Sequence, residues 1–575
     1  TRYVWPRLPI ATTGELMRES ERRHGDRIAE VRGDFTPYWE DGAASSARET
    51  ALARNASERL VQAETLWAML RAPYPYHEPF DEAWRNVLLY HEHTWGAHCS
   101  ISQPDSEFTL SQWAIKQAFA RDASRQAADL LLRSTENLPP STTALAEAVD
   151  VYNTCSWPRS DLVAIGRETK LAGDRVTTAD GTPVLSQRLA NGELVFWAAE
   201  VPPFGGKRFL LSSGTPFNQG EATASGNTLA TGDIELAVDE KTGDITHLLW
   251  TGANVDLAAG SSGARLNSYH YVVGRDPQKT LTVQSVDIRV VDRGPLVATL
   301  AVESKAPGCR KLVREVRVID GARRVDLINT IDKEDVRDAE SVHFGFQPDL
   351  GLGVMRMEIP WAIIRPEQDQ LPGACKNYFT IGRWVDVADE EYGLTWASVD
   401  APLVEVGGIH VDVPHPLKTE GWIKHLAPTH LFYSYVMNNY WETNYKASQE
   451  GPTTFRYSIR PHGPFQPVAA TRFGMERCNP MLCVPVDPDA PVRGSLLRVA
   501  PEEVIVTSLK QSLDGKALMV RLFNVGEKAV QAKIEWQDLR PKGVTVSSPF
   551  EEFGRAVDQP LEIAAKGIVT LRAER

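Results

Sequence analysis

Apolar residues in the first quarter of the chain recur at spacings of three and four; further on they alternate with polar ones. In 46–71, Leu52, Ala56, Leu60, Ala63, Trp67 and Leu70 trace one stripe of a long amphipathic helix. Ser46 with Glu49 predicts a capping box at its start, in which each side chain satisfies an orphan backbone N–H. A second helix is expected from Pro79 and Asp81 onward, with Trp84, Val87, Leu88, His91 and Trp95 on its stripe. A third begins at "TLSQ", where Thr109 and Gln112 repeat the box, and runs through Trp113 and Ala120 to Leu132. Three long helices with short joints predict a helical bundle.

Past "NLPPSTT" the period becomes two. Ile234, Leu236 and Val238 alternate before the turn "DEKTG", and Leu518, Val520 and Leu522 do so after "LDG". With Gly and Pro punctuation and no helical period among them, such strands predict stacked antiparallel β-sandwiches. The Pro/Gly-rich stretch 462–494 reads as the lead into a last small sandwich, and the opening "YVWPRLPIATTGELMRESERRHG" as the last strand and helix of an α/β unit whose earlier members would lie upstream.

Composition narrows the partners. The 575 residues exceed what one core organises, and 42% hydrophobic with 24% charged residues describes folded, multidomain protein. A formal charge of −13, without a Lys/Arg block, disfavours nucleic acid and anionic membranes and suits a neutral substrate. No apolar run approaches the ~20 residues of a membrane span. The six cysteines are scattered with no C-x-x-C pair, as expected of free thiols in a reducing compartment, although the cell location stays open.

The chemistry concentrates in "HEHTWG", residues 91–96. On a helix His91 and His93 lie ~200° apart, so both cannot face one ion. His91 shares the stripe of Trp84 and Leu88 and is expected to point inward, and Gly96 ends the helix, leaving Glu92 and Thr94 near an exposed end. A satisfied core histidine and a metal ligand are both open readings, and a zinc site needs two or three further ligands. Asp34, Tyr38, Trp39 and Asp41 form a loop of rings and carboxylates suited either to sugar contact or to a capped turn. Asn438, Asn439, Trp441, Glu442 and Asn444 form a polar run suited either to a ligand or to pinning a loop through hydrogen bonds.

"RGDFTPYWEDGAASSARE", "HEHTWG", "DIELAVDEKTGDI", "GFQPDLGLG", "RPEQDQLPGACKNYFTIGRWVDV" and "VMNNYWETNYKASQEGPTTFRYSI" occur in an order that resembles glycoside hydrolase family 38, the α-mannosidase family, after its catalytic barrel. The resemblance implies an α + β multidomain chain: a barrel remnant (1–40), a three-helix bundle (41–150), a large β-sandwich region (151–480) and a small C-terminal β-sandwich (481–575). It implies a retaining, metal-dependent α-glycosidase acting on a glycoside or oligosaccharide, with mannose as the default sugar. His91 would be one ligand of a catalytic Zn2+ ion, and Glu92 a sugar-contacting carboxylate one methylene longer than the family's aspartate. Asp34, Trp39, Asn439 and Trp441 would be further substrate contacts. No catalytic residue is expected within these 575 residues, because the nucleophile and acid/base belong to the barrel, so the chain is expected to be inert alone. A homo-oligomer fits the family habit. A non-catalytic carbohydrate-binding scaffold, or a hydrolase for another α-linked sugar, stands as the alternative.

Overall fold

The structure, a computed structural model, describes residues 10–70, 77–92, 95–140, 145–259, 263–351, 353–411 and 419–575. Thr13–His24 (α1) carries a complete capping box between Thr12 and Glu15 and buries none of its residues. The strand expected before it lies outside the described residues.

Ala47–Leu70 (α2), His77–Tyr90 (α3) and Glu107–Arg133 (α4) form the bundle. Ala56, Leu60, Ala63 and Trp67 of α2 meet Phe80, Ala83 and Val87 of α3 and Ala123, Ala127 and Leu130 of α4. The Trp67 indole donates to the Leu130 carbonyl at 3.1 Å, satisfying its one polar atom inside this core. Both expected capping boxes are replaced. A 3-10 turn over Glu40–Ser46 runs straight into α2, so the Ser46 hydroxyl meets the Tyr90 hydroxyl (2.9 Å) and Glu49 accepts from Gln117 (2.6 Å). The N-cap of α4 is Ser106, whose side chain accepts from the Thr109 N–H at 3.2 Å. The inward face of α3 is Phe80, Ala83, Val87 and Tyr90, whereas Leu88, expected inside, is 68% exposed.

A nine-stranded sheet, running in space from Ser285–Arg293 to Ala362–Ile364, packs on a six-stranded sheet that includes Ser268–Val273, Glu340–Phe346 and Phe432–Asn438. Their strand pairs are antiparallel, and Leu300, Val316, Leu327, Phe344, Trp396 and Tyr457 fill the space between them. Ile234, Leu236 and Val238 are buried as their alternation predicts, and the following turn is set by Asp239, whose carboxylate accepts from the Lys241 and Thr242 N–H groups, and by Gly243 at φ +70°. Two departures from the sequence reading concern 462–494. Pro467–Cys478 is a helix (α5) inside the region expected to be all strand, and Leu482–Val486 pairs with Ala148–Asn153, so it closes a five-stranded sheet of the preceding region. The small C-terminal sandwich starts at Leu497.

α2 reaches beyond the bundle. Leu66, Met69 and Leu70 share a core with Leu497, Val504, Leu518 and Leu571 of the C-terminal sandwich.

Candidate functional site

Tyr90 fixes the end of α3. Its buried hydroxyl meets the Ser46 hydroxyl at 2.9 Å and the Thr50 hydroxyl at 2.8 Å, tying the last turn to the start of α2. His91 follows, one residue past the helix, its N–H still donating to the Val87 carbonyl (3.1 Å). With the helix ending at Tyr90, five residues before Trp95, the imidazole leaves the bundle stripe. It is exposed, and it lines a cavity of about 500 Å³ with Tyr38, Trp39, Glu40, Arg54 and Trp95. On its other sides protein atoms crowd the ring. Desolvation first, and then the nearby Arg54 cation, push its pKa from 6.5 down to about 4, so the ring is neutral at physiological pH.

The polar run lies behind the cavity's aromatic wall and supports it. The Tyr445 hydroxyl lies between the Trp39 carbonyl and the Asp41 carboxylate (3.0 Å to the latter), and the Trp441 ring stacks on Tyr445 (5.2 Å) and packs on Trp39 (5.6 Å). Two glycines let this happen: a Cβ on Gly42 would lie 2.4 Å from the Trp95 ring and 2.5 Å from the Tyr445 ring, and one on Gly96 would lie 2.9 Å from the Tyr445 backbone. Asp41 is buried beneath these rings. Burial pushes its carboxyl up to about 7; hydrogen bonds from Tyr445 and Tyr378 oppose the shift and the neighbouring Glu40 charge adds to it.

The structure therefore brings His91 and Trp39 onto one cavity and places the other expected contacts elsewhere. Trp441 stands behind Trp39 as support. Glu92 pairs with Lys116 of α4. Asp34 forms a β-bridge with Gln370 and accepts from the Thr36 N–H (3.1 Å), outside the cavity wall. Asn439 spends its amide on the sandwich: it donates to the carbonyls of Val336, Asp338 and Ala447 and accepts from the Glu340 N–H at 2.8 Å. His93 and Thr94 lie outside the described residues. Sequence reasoning missed Arg54 and Glu40 on the wall; Arg54 sits one helical turn after Thr50, which also lines it. Among the described residues no three His, Cys, Asp or Glu side chains group as a metal cage. An H-x-D spacing begins at His410, whose N–H is held by Glu405 (3.0 Å) and which is no part of this wall.

The profile of the "Glycosyl hydrolases family 38 C-terminal domain" matches residues 229–399, and that of the "Glycosyl hydrolases family 38 C-terminal beta sandwich domain" matches residues 503–571. Residues 229–399 and 503–571 carry C-terminal domains of the glycosyl hydrolase family 38 type. Two solved structures share the fold of this chain across 98% of its length. One is an alpha-mannosidase from Enterococcus faecalis V583 (15% identity, TM-score 0.74, 72% of that chain covered). The other is a glycosyl hydrolase family 38 protein from Enterococcus faecalis (16% identity, TM-score 0.72, 74% of that chain covered). No curated protein matches the sequence significantly. Of the cavity wall, Thr380 falls inside a matched segment, while His91, Tyr38, Trp39 and Arg54 precede both.

Proposed function

We propose that this chain supplies the sugar-facing wall of a retaining, zinc-dependent α-mannosidase-like glycosidase, with His91 as one metal ligand. The observation that carries the reading is the neutral His91 imidazole opening into a cavity beside the rings of Tyr38 and Trp39. A neutral imidazole has the lone pair that zinc accepts, and aromatic faces suit the apolar faces of a pyranose ring. The fit to zinc is that of a single donor. Glu92 is engaged by Lys116, and Arg54 opposes a dication close to His91, whereas Glu40 on the same wall offsets part of that charge. Zinc bound there would supply Lewis acidity toward sugar hydroxyls.

The chain's own residues bind and orient. Tyr38 and Trp39 present ring faces, Arg54 donates to hydroxyls, and Trp95 narrows the cavity away from water. Retaining hydrolysis requires two carboxyl groups ~5 Å apart, and Glu40 is the one carboxylate on the described wall. The chain alone is therefore expected to bind mannosides without cleaving them. Calorimetric titration with zinc and methyl α-mannoside tests this: His91→Ala should weaken zinc binding at least tenfold while the folded state persists. Unchanged zinc affinity in that variant removes the metal role. Turnover of an aryl α-mannoside by the purified chain removes the inert reading. The single carboxylate also favours a second reading, a purely carbohydrate-binding body, which zinc-independent mannoside binding would select.

A further inference from the structure

A second cavity, of about 320 Å³, lies where α2, the large sandwich and the end of α5 meet, and four of its lining side chains are arginines: Arg59, Arg317, Arg456 and Arg477. In a chain with 75 acidic and 62 basic residues, such a concentration needs a physical reason. Two of the four have one. Arg456 forks onto Asp400 (2.7 Å), and Arg477 pairs with Asp161. The other two do not. Among the described residues no carboxylate lies within ion-pair distance of Arg59 or Arg317; the Arg317 side chain makes one hydrogen bond, from Nε to the Thr299 hydroxyl at 3.3 Å. Both are half-buried. The acid nearest in register to Arg317 is Asp326, its cross-strand neighbour, which also lines the cavity; its Oδ1 accepts from Arg324 (2.9 Å) and the Ser458 hydroxyl (2.6 Å), and it makes no ion pair with Arg317.

A partly desolvated guanidinium without a counterion is costly, and Arg456 adds repulsion to Arg59. Arg59 also faces a neighbouring hollow of about 270 Å³, which it shares with Arg48, Asn55 and Arg456, so its charge is reachable from solvent on that side. Guanidinium forks match the several acceptor oxygens of a tetrahedral oxyanion better than a single carboxylate does.

We propose that this cavity binds an oxyanion of the phosphate or sulfate class, held between Arg59 and Arg317. The site is separate from the His91 cavity and independent of its assignment. Because its walls come from the bundle and the sandwich together, a bound anion ties one to the other and stabilises the folded chain by mass action.

The test is calorimetry and thermal melting of the full chain with inorganic phosphate, against sodium chloride at equal ionic strength. Phosphate should bind saturably and raise Tm where chloride does not. Arg59→Gln and Arg317→Gln should each weaken binding at least tenfold, Arg59→Lys should retain part of it, and His91→Ala should bind as the parent does. Glucose 6-phosphate against glucose separates the two sources of the group: tighter binding of the ester than of free phosphate, with glucose silent, marks a phosphorylated metabolite, and equal or weaker binding marks the free ion. Undiminished phosphate binding in Arg59→Gln, or a chloride effect equal to that of phosphate, overturns the proposal. Should Arg317→Gln fail to fold, the Arg59 pair decides alone.

Discussion

Asp41 shows how one carboxyl can report on the cavity wall. Its pKa of about 7 in the folded chain, against 3.8 when unfolded, means the folded state holds a proton the unfolded state has released. The stability this contributes is complete below about pH 4 and is lost as pH rises through 7. Melting temperatures of the parent should therefore fall more steeply between pH 5 and 8 than those of Asp41→Asn, and parallel curves would contradict the burial argument. Asn439 predicts the opposite kind of result. Truncation to alanine strands three carbonyls and one N–H, costing about 1–3 kcal/mol in a denaturant titration, yet the mannoside binding proposed for the His91 cavity should not change, because the amide faces the sandwich. From sequence both uses of that amide were open, since an asparagine in a polar run carries no mark of which backbone it meets. The placement of His91 was only partly legible: the pattern through Trp84, Leu88 and Trp95 continues past the point where the helix stops, so the ring was expected on a buried stripe and stands at the rim of a cavity.

At the scale of elements, the meeting of the 3-10 turn at Glu40–Ser46 with the run 438–445 holds the cavity's shape. Gly42→Ala and Gly96→Ala should each destabilise by about 1–3 kcal/mol or more, as overpacking does, and should disturb the tryptophan environment at Trp95, read by near-UV circular dichroism; a silent spectrum would mean the aromatic wall is loosely packed. The periodicity of α4 and the alternation of Ile234–Val238 were readable because each buries one face; Ala517–Asn524 and the last turns of α2 are buried on nearly every side, so their patterns showed the element and not its full burial. The caps were not. A capping box requires extended backbone before the helix, and here a 3-10 turn occupies that position for α2, while Ser106 opens α4 three residues before the expected Thr109. α5 escaped notice because a 12-residue helix flanked by Pro and Gly offers too few turns for a stripe to stand out.

For the whole molecule, the α + β plan of bundle followed by sandwiches was visible from the change of period, and the domain edges were not. Leu482–Val486 returns to pair with Ala148–Asn153, a partner more than 300 residues earlier, and no local pattern encodes such a pairing. A consequence follows for truncation. Removing residues from 497 onward uncovers Leu66, Met69 and Leu70, so the shortened chain should melt at lower temperature and aggregate on heating; an unchanged Tm would show the C-terminal sandwich to be an independent appendage.

The deepest consequence belongs to α2. Within its 24 residues, Thr50 and Arg54 face the His91 cavity, Arg59 faces the arginine-lined one, Ala56, Leu60, Ala63 and Trp67 pack the bundle, and Leu66 to Leu70 anchor the last domain. A single residue inserted near its middle would turn everything downstream by about 100°, swinging the anchor out of register while leaving the upstream cavity intact. Point changes along this rod can be absorbed one neighbour at a time, but a change in its length cannot.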